Sequence, residues 1–288
     1  MNLLKIIETL DLEKIDQEQF LKPAMRRNLF KKASDYSLKA ALTSLPFAMM
    51  AMPSIVKAQT SNATAALSLA LKLEFLERDF YTKAVAAMNS GAYGASSTAN
   101  LAVFQQILKH ETDHVTFLQT ALGSAAPVEP TFDFTVGGQF TPFSNYTQFL
   151  DFSQAFEDTG VRAYKGQATN LMGTGATLTA ALQIHSVEAR HAAEVRRIRG
   201  QKGWITGSED GDTNFPSAFA AVYGAGSDAT NYPAENNTTQ GGVDLATYLN
   251  GTNGEPSIAA TSITEAFDEP LDTATVVAIF NTFCTANC

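Results

Sequence analysis

The chain is poor in several features that would decide its class early. It has two cysteines in 288 residues, Cys284 and Cys288. Two thiols are too few for a disulfide framework or a thiolate zinc site. Their Cys-x3-Cys spacing leaves open either a small disulfide or a pair of free thiols. Basic residues thin out beyond the start of the chain. Residues 1–58 carry nine Lys/Arg against six Asp/Glu, while residues 59–288 carry 11 against 23. No basic stripe exists in that long acidic part, which excludes nucleic acid as a partner class. Long hydrophobic runs are also missing. The stretch Ala40-Ala-Leu-Thr-Ser-Leu-Pro-Phe-Ala-Met-Met-Ala-Met52 is short for a bilayer and contains Pro46, so no stable membrane span is expected.

Histidine is scarce too, with four residues in all, and two of them fall in a repeated pattern. Glu111/His114 and Glu188/His191 are Glu-x-x-His pairs, and each follows a lone upstream glutamate, Glu74 and Glu157. Three-residue spacing on a helix puts both side chains on one face. Glu74 sits in Leu73-Glu-Phe-Leu-Glu-Arg-Asp-Phe-Tyr81 and Glu157 in Phe156-Glu-Asp-Thr-Gly-Val-Arg-Ala-Tyr164. Tyr81 and Tyr164 each lie two helical turns beyond their glutamate, on the same face. Glu…Tyr…Glu-x-x-His thus occurs twice, the trace of a duplicated helical hairpin. A helix climbing from Glu74 to about Met88 rises roughly 21 Å, and one descending from about Asn100 to Glu111 falls roughly 16 Å. The glutamates of one hairpin therefore come nearly level. The second hairpin, turning at Gly173-Thr-Gly175, does the same.

The fold class this predicts is all-α. Four long helices are expected at 64–89, 99–122, 149–172 and 178–200, each with apolar residues at three- and four-residue spacing. Gly123 and Gly200 are natural stops. Residues 123–145 make a long Pro-, Phe- and Gly-rich connection, as a four-helix bundle with one long crossover requires. Residues 59–200 read as the bundle. Residues 201–288 read as a loop-rich extension ending in a short helix at 273–283, with 267–271 docking on the bundle. Asp210-Gly-Asp212 hints at calcium but lacks the rest of a binding loop.

Two Glu-x-x-His pairs and two single carboxylates form the ligand set of a di-metal centre inside such a bundle. The six metal-ligating residues are Glu74, Glu111, His114, Glu157, Glu188 and His191. Four buried glutamates would be costly unpaired, and two divalent cations cancel their charge. Oxygen and imidazole donors without thiolate favour iron or manganese, with zinc next. One or two glutamates would bridge the metals. Each histidine needs an acceptor for its other ring nitrogen, and Asp113 is the nearest one in the first hairpin. Glu77, one turn after Glu74, is left open as a seventh ligand because its repeat counterpart is Gly160. Tyr81 and Tyr164 read as packed core residues with hydroxyls on glutamates. His110 and His185 read as polar-network or surface residues, and Arg162 and Arg190 as solvated or paired with nearby acids.

At Leu73–Tyr81, His110-Glu-Thr-Asp-His114, Phe156–Tyr164 and Val187-Glu-Ala-Arg-His191, the chain resembles the ferritin-like superfamily. More narrowly, it resembles the ferritin-like domain family that includes desiccation-related proteins. Glu188-Ala-Arg-His191 is also similar to the Asp-Glu-x-Arg-His signature of di-iron oxidases, with Val187 in the aspartate's place. The resemblance implies a di-metal site on the six residues above. It leaves the reaction open among ferroxidase, peroxidase, catalase and oxygenase chemistry. The expected function is redox chemistry on peroxide, dioxygen or ferrous iron in stress defence. The expected partners are a small-molecule oxidant or metal ion, and a homodimer is compatible with them. The alternative is a non-catalytic, desiccation-protective bundle with a vestigial or structural metal site. Within residues 1–58, Met25-Arg-Arg-Asn-Leu-Phe-Lys-Lys32 resembles a twin-arginine export motif, and an apolar stretch and Val56-Lys-Ala58 follow it. That order predicts an exported, periplasmic or extracellular protein. If 38–52 is instead an amphipathic helix packed on the bundle, the protein is cytoplasmic.

Overall fold

A computed structural model of the chain describes residues 61–207, 216–249 and 257–288. The export reading of residues 1–58 and the Asp210-Gly-Asp212 motif lie outside these residues. Four long helices are present: α1 Ser61–Asn89, α2 Leu101–Leu122, α3 Tyr146–Gln167 and α4 Ala176–Ile198. Their limits follow from local chemistry. Asn145 caps α3, its side chain accepting from the Gln148 amide at 3.2 Å. Gly173 and Gly175, with φ of 83° and 59°, take the left-handed conformations that turn α3 into α4.

α1 packs on α2 and α3 on α4, and the two hairpins meet chiefly through α1 and α3. Two apolar clusters fix the helix directions. One takes Ala63–Phe75 positions of α1, Val115 and Leu122 of α2, Tyr164 of α3 and Ile184 of α4. The other takes Phe80 and Met88 of α1, Phe104 of α2, Phe149 and Phe156 of α3 and Val195 of α4. α1 and α4 thus run one way, α2 and α3 the other. The connection 123–145 must therefore travel the length of the bundle, which is the expected crossover. The candidate ligands fall between the two clusters, as a charged layer with an apolar core on either side.

The aromatic cluster is dense. Phe104 meets Phe149 edge to face with centroids 4.6 Å apart, Phe80 meets Phe156 at 5.0 Å, and Phe156 meets Phe283 at 5.0 Å. Phe283 belongs to the extension, so the extension completes this core. Its last helix, α5 Thr273–Asn281, is capped by Asp272, whose side chain accepts from the Thr275 amide at 2.7 Å. It buries Val276, Ile279 and Phe280 against the bundle. Just beyond, Cys284–Ala286 pairs antiparallel with Thr131–Phe132 of the crossover. Cys284 and Cys288 form a disulfide, which closes the alternative of free thiols. Among the described residues no helix is long and apolar enough to cross a membrane.

Of the two outcomes expected for Arg162, solvated or paired with acids, the structure shows pairing, in the interior and with an acid remote in sequence. Arg162 is fully buried and holds the extension from inside the fold. Its Nε donates to the Glu269 carbonyl at 2.8 Å and pairs with Glu235 Oε1 at 2.8 Å. Its other nitrogens donate to the carbonyls of Val222, Gly224, Pro233 and Pro270. The acid it meets is remote in sequence, so no local pattern could announce it. Four residues on, Gly166 lies against residue 271: a Cβ there would sit 1.9 Å from the Leu271 carbonyl oxygen. Gly166→Ala is therefore expected to displace this segment and lower stability by about 1–3 kcal/mol or more. A thermal melt equal to that of the parent would contradict the contact.

Candidate metal centre

Each long helix brings its candidate residues to one level. α1 supplies Glu74, Glu77 and Tyr81, α2 supplies Glu111 and His114, α3 supplies Glu157 and Tyr164, and α4 supplies Glu188 and His191. Glu74, Glu111, Glu157 and Glu188 are all 0% exposed. His114 Nδ1 lies 3.1 Å from Glu74 Oε2, 3.0 Å from Glu111 Oε2 and 3.2 Å from Glu188 Oε1. His191 Nδ1 lies 2.9 Å from Glu111 Oε1 and 3.2 Å from Glu157 Oε2. The six residues form two overlapping groups. Glu74, Glu111, His114 and Glu188 make one, and Glu111, Glu157, Glu188 and His191 make the other. Within each, one ligand atom per residue lies within 4.8 Å of the others. Glu111 and Glu188 belong to both, the position expected of bridging carboxylates.

The tyrosines tie the halves together crosswise. Tyr81 of the first hairpin donates to Glu157 of the second, and Tyr164 of the second donates to Glu74 of the first. Both hydroxyls are thus on glutamates, as their spacing predicts.

Whether these residues fit a pair of cations can be read from their unsatisfied atoms. Glu188 Oε2 is buried without a hydrogen-bond partner, and Glu111 Oε1 and Glu188 Oε1 have no donor beyond the imidazoles of His191 and His114. Carboxylate oxygens short of donors are costly in a protein interior, and here they belong to the two glutamates that both groups share. The donor set therefore fits two divalent ions. Glu77 also belongs to this layer, though to neither four-residue group. A Cβ on Gly160 would come 3.1 Å from Glu188 Oε2 and 3.2 Å from Glu77 Oε1. The glycine, a poor residue for mid-helix, makes room for these two carboxylates.

Electrostatics show how the layer holds charge without cations. Burial pushes Glu188 and Glu77 well above the usual carboxylate range, and neighbouring glutamates push the same way. Burial raises Glu111 to about 7, opposed by hydrogen bonds from His114 and His191. Burial works against charge on the two histidines, but the surrounding carboxylates outweigh it. His114 is raised well above its ordinary range and His191 to about 11. All of these groups hold protons more tightly folded than unfolded. The stability they contribute is full below their unfolded values and is lost as pH rises through the folded ones. The metal-free protein is therefore expected to melt lower at pH 9 than at pH 5.5, with Glu235, raised by burial to about 8, adding to the fall. Divalent cations should shrink the difference, because they replace the histidine protons. Equal melting temperatures at both pH values would count against this account.

Several other readings are settled by position. Asp113, the expected acceptor for a histidine, is exposed and paired with Lys109. It lies about 200° around α2 from Glu111 and cannot reach the centre. The residue that holds a histidine is His110, whose Nδ1 lies 2.9 Å from His191 Nε2. His110 is a polar-network residue, as expected, but no local motif shows which partner it takes. A signal was available: Val187 fills the position just before Glu188, and the same position before Glu111 is His110. His185 is in neither ligand group, and Arg190 is exposed.

The family model of the ferritin-like domain matches residues 62–201, from the start of α1 to just past α4. No curated protein matches the chain.

Proposed function

Taking residues 62–201 as a ferritin-like domain, we propose that the protein is a di-metal carboxylate protein. It binds two iron or manganese ions and performs redox chemistry on peroxide, dioxygen or ferrous iron in stress defence. The observation that carries this reading is the sharing of Glu111 and Glu188 between two four-residue groups. A single structural cation would need one group, and a polar network would not leave Glu188 Oε2 without a donor. Donors made only of carboxylate and imidazole suit iron and manganese. Such ions, when bound, supply redox-active centres with open positions for a small oxidant.

The chain's own residues have distinct parts. Glu74 with His114 and Glu157 with His191 would hold one cation each, and Glu111 and Glu188 would hold both. Tyr164 and Tyr81 orient the two outer glutamates through their hydroxyls. The apolar clusters above and below the layer exclude bulk water. Glu77 supplies a fifth carboxylate beside Glu188. The desiccation-related assignment and export through residues 1–58 belong to the same reading. The disulfide Cys284–Cys288 supports export, since such bonds persist in oxidising compartments.

Metal analysis of the purified protein after reconstitution with iron or manganese tests the reading. About two ions per chain are expected, with a rise in melting temperature on loading, because a ligand bound only by the folded state stabilises it. Little metal in the parent, together with melting that ignores added cations, would favour the non-catalytic protective bundle.

A further inference from the structure

Duplication makes one side of the centre a near copy of the other, so a residue that breaks the copy has consequences for one metal position only. Glu111 and His114 map onto Glu188 and His191. At the same offset, Gln106 maps onto Gln183 and His110 onto Val187. Most interactions obey the copy, including the crossed tyrosines and the imidazole Nδ1 atoms facing carboxylates. His110 does not. Its Nδ1 lies 2.9 Å from His191 Nε2, with the two ring planes within 9° of parallel. Its Nε2 lies 2.7 Å from the Gln106 side-chain amide. Val187 has no hydrogen-bonding side chain, and among the described residues nothing hydrogen-bonds Nε2 of His114.

From this asymmetry, and resting on the di-metal reading above, we propose that His110 is a positioning residue for His191. We further propose that it makes the two metal positions unequal, the Glu157/His191 position filling first. An imidazole that ligates through Nδ1 carries its proton on Nε2 and needs an acceptor there. His110 Nδ1 is that acceptor when His110 keeps its own proton on Nε2 and gives it to the Gln106 amide oxygen. The Gln106 amide can turn over to present that oxygen, because the residue is exposed. The near-parallel rings put the nitrogen lone pair of one in line with the N–H of the other. His191 is thereby held in a ligating orientation before a cation arrives. His114 is oriented only by the carboxylates it must share with the metal.

A second observation concerns access. Ala102, Gln106, Ile107, His110, His191 and Glu194 line a groove of about 390 Å³ between α2 and α4. His191 thus forms part of the groove wall while its Nδ1 faces the carboxylates. The position that is held in advance is also the one beside this groove.

The test is an anaerobic titration of the full chain with Co²⁺, followed by visible absorption and calorimetry, with circular dichroism as the check on folding. The parent is expected to bind two equivalents in unequal steps. In His110→Ala the tighter step should weaken by about 10–100-fold while the other moves little, so the steps merge. His110→Asn, which keeps an acceptor, should recover part of the loss. Gln106→Leu, at an exposed position that folding tolerates, should weaken the same step by less, and it carries the test if His110→Ala does not fold. Two equal steps in the parent, unchanged affinities in the variants, or equal weakening of both steps would overturn the inference while leaving the di-metal reading intact. Failure of the parent to bind Co²⁺, iron or manganese would overturn both.

Discussion

Glu188→Gln is expected to strip both metals from the protein and, with no metal present, to raise its melting temperature. The two effects have one origin. Glu188 is fully buried, belongs to both ligand groups and has the His114 imidazole, 3.2 Å from Oε1, as its one donor. Without cations it is pushed well above the usual carboxylate range by burial and by Glu111 and Glu74. An uncharged amide of the same shape needs neither charge nor proton uptake to be buried, a relief of about 1–3 kcal/mol on the scale of an unsatisfied buried group. It also removes the bridge, and with it the stabilisation by metal, about 4 kcal/mol at a thousandfold excess over Kd. The order of stability should therefore invert: parent above variant when loaded, variant above parent when chelated. Glu74→Gln and Glu157→Gln serve as contrasts, each expected to lose one ion. Calorimetric melts with and without chelator, paired with metal analysis, read all of this. Two ions retained in Glu188→Gln would mean that Glu188 is not shared.

Arg162→Met should be the most damaging single change away from the centre. It removes the hydrogen bonds by which the guanidinium gathers the carbonyls of Val222, Gly224, Pro233, Glu269 and Pro270. It also leaves Glu235 buried without its cation. Breaking one side of a buried ion pair costs about 3–5 kcal/mol, a drop on the order of 10 °C in Tm for a chain of this size. The extension should detach first, so limited proteolysis should cut residues 216–249 faster than the bundle. Adding Glu235→Gln to the variant should recover part of the loss, because the orphaned charge goes with it. If the double variant is no more stable than the single one, the pair is not the source of the cost.

The bundle was legible because its information is periodic. Apolar spacing marked four helices to within a few residues, and the Glu-x-x-His pairs marked the level at which they meet. The metal-ligand candidates were legible for the same reason, since residues three apart on one helix share a face whatever else the chain does. What stayed hidden depends on partners distant in sequence. Nothing near Arg162 indicates that Val222, Gly224, Pro233, Glu235 and Glu269 gather around it. Pairing with an acid is one of the two outcomes expected for it, but the acid is remote in sequence. Asp113 is near the histidine in sequence, but helical rotation carries it to the far side of α2 from Glu111. His110 was placed in a polar network, yet its partner lies on α4 and could be inferred only by laying one hairpin over the other. Glu77 was ambiguous because its counterpart is a glycine. The glycine is the space that Glu77 and Glu188 occupy.

The crossed tyrosines have a consequence for descent. In each hairpin the tyrosine two turns above the outer glutamate reaches the glutamate of the other hairpin, never its own. That is the contact pattern of an isologous interface, in which each residue meets its partner's counterpart about a two-fold axis. A chain half this long, bearing a single Glu…Tyr…Glu-x-x-His hairpin, would have been unable to orient its outer glutamate alone. It would have done so only on meeting a second copy of itself. The centre thus carries, inside one chain, the pairing pattern of an interface between two copies.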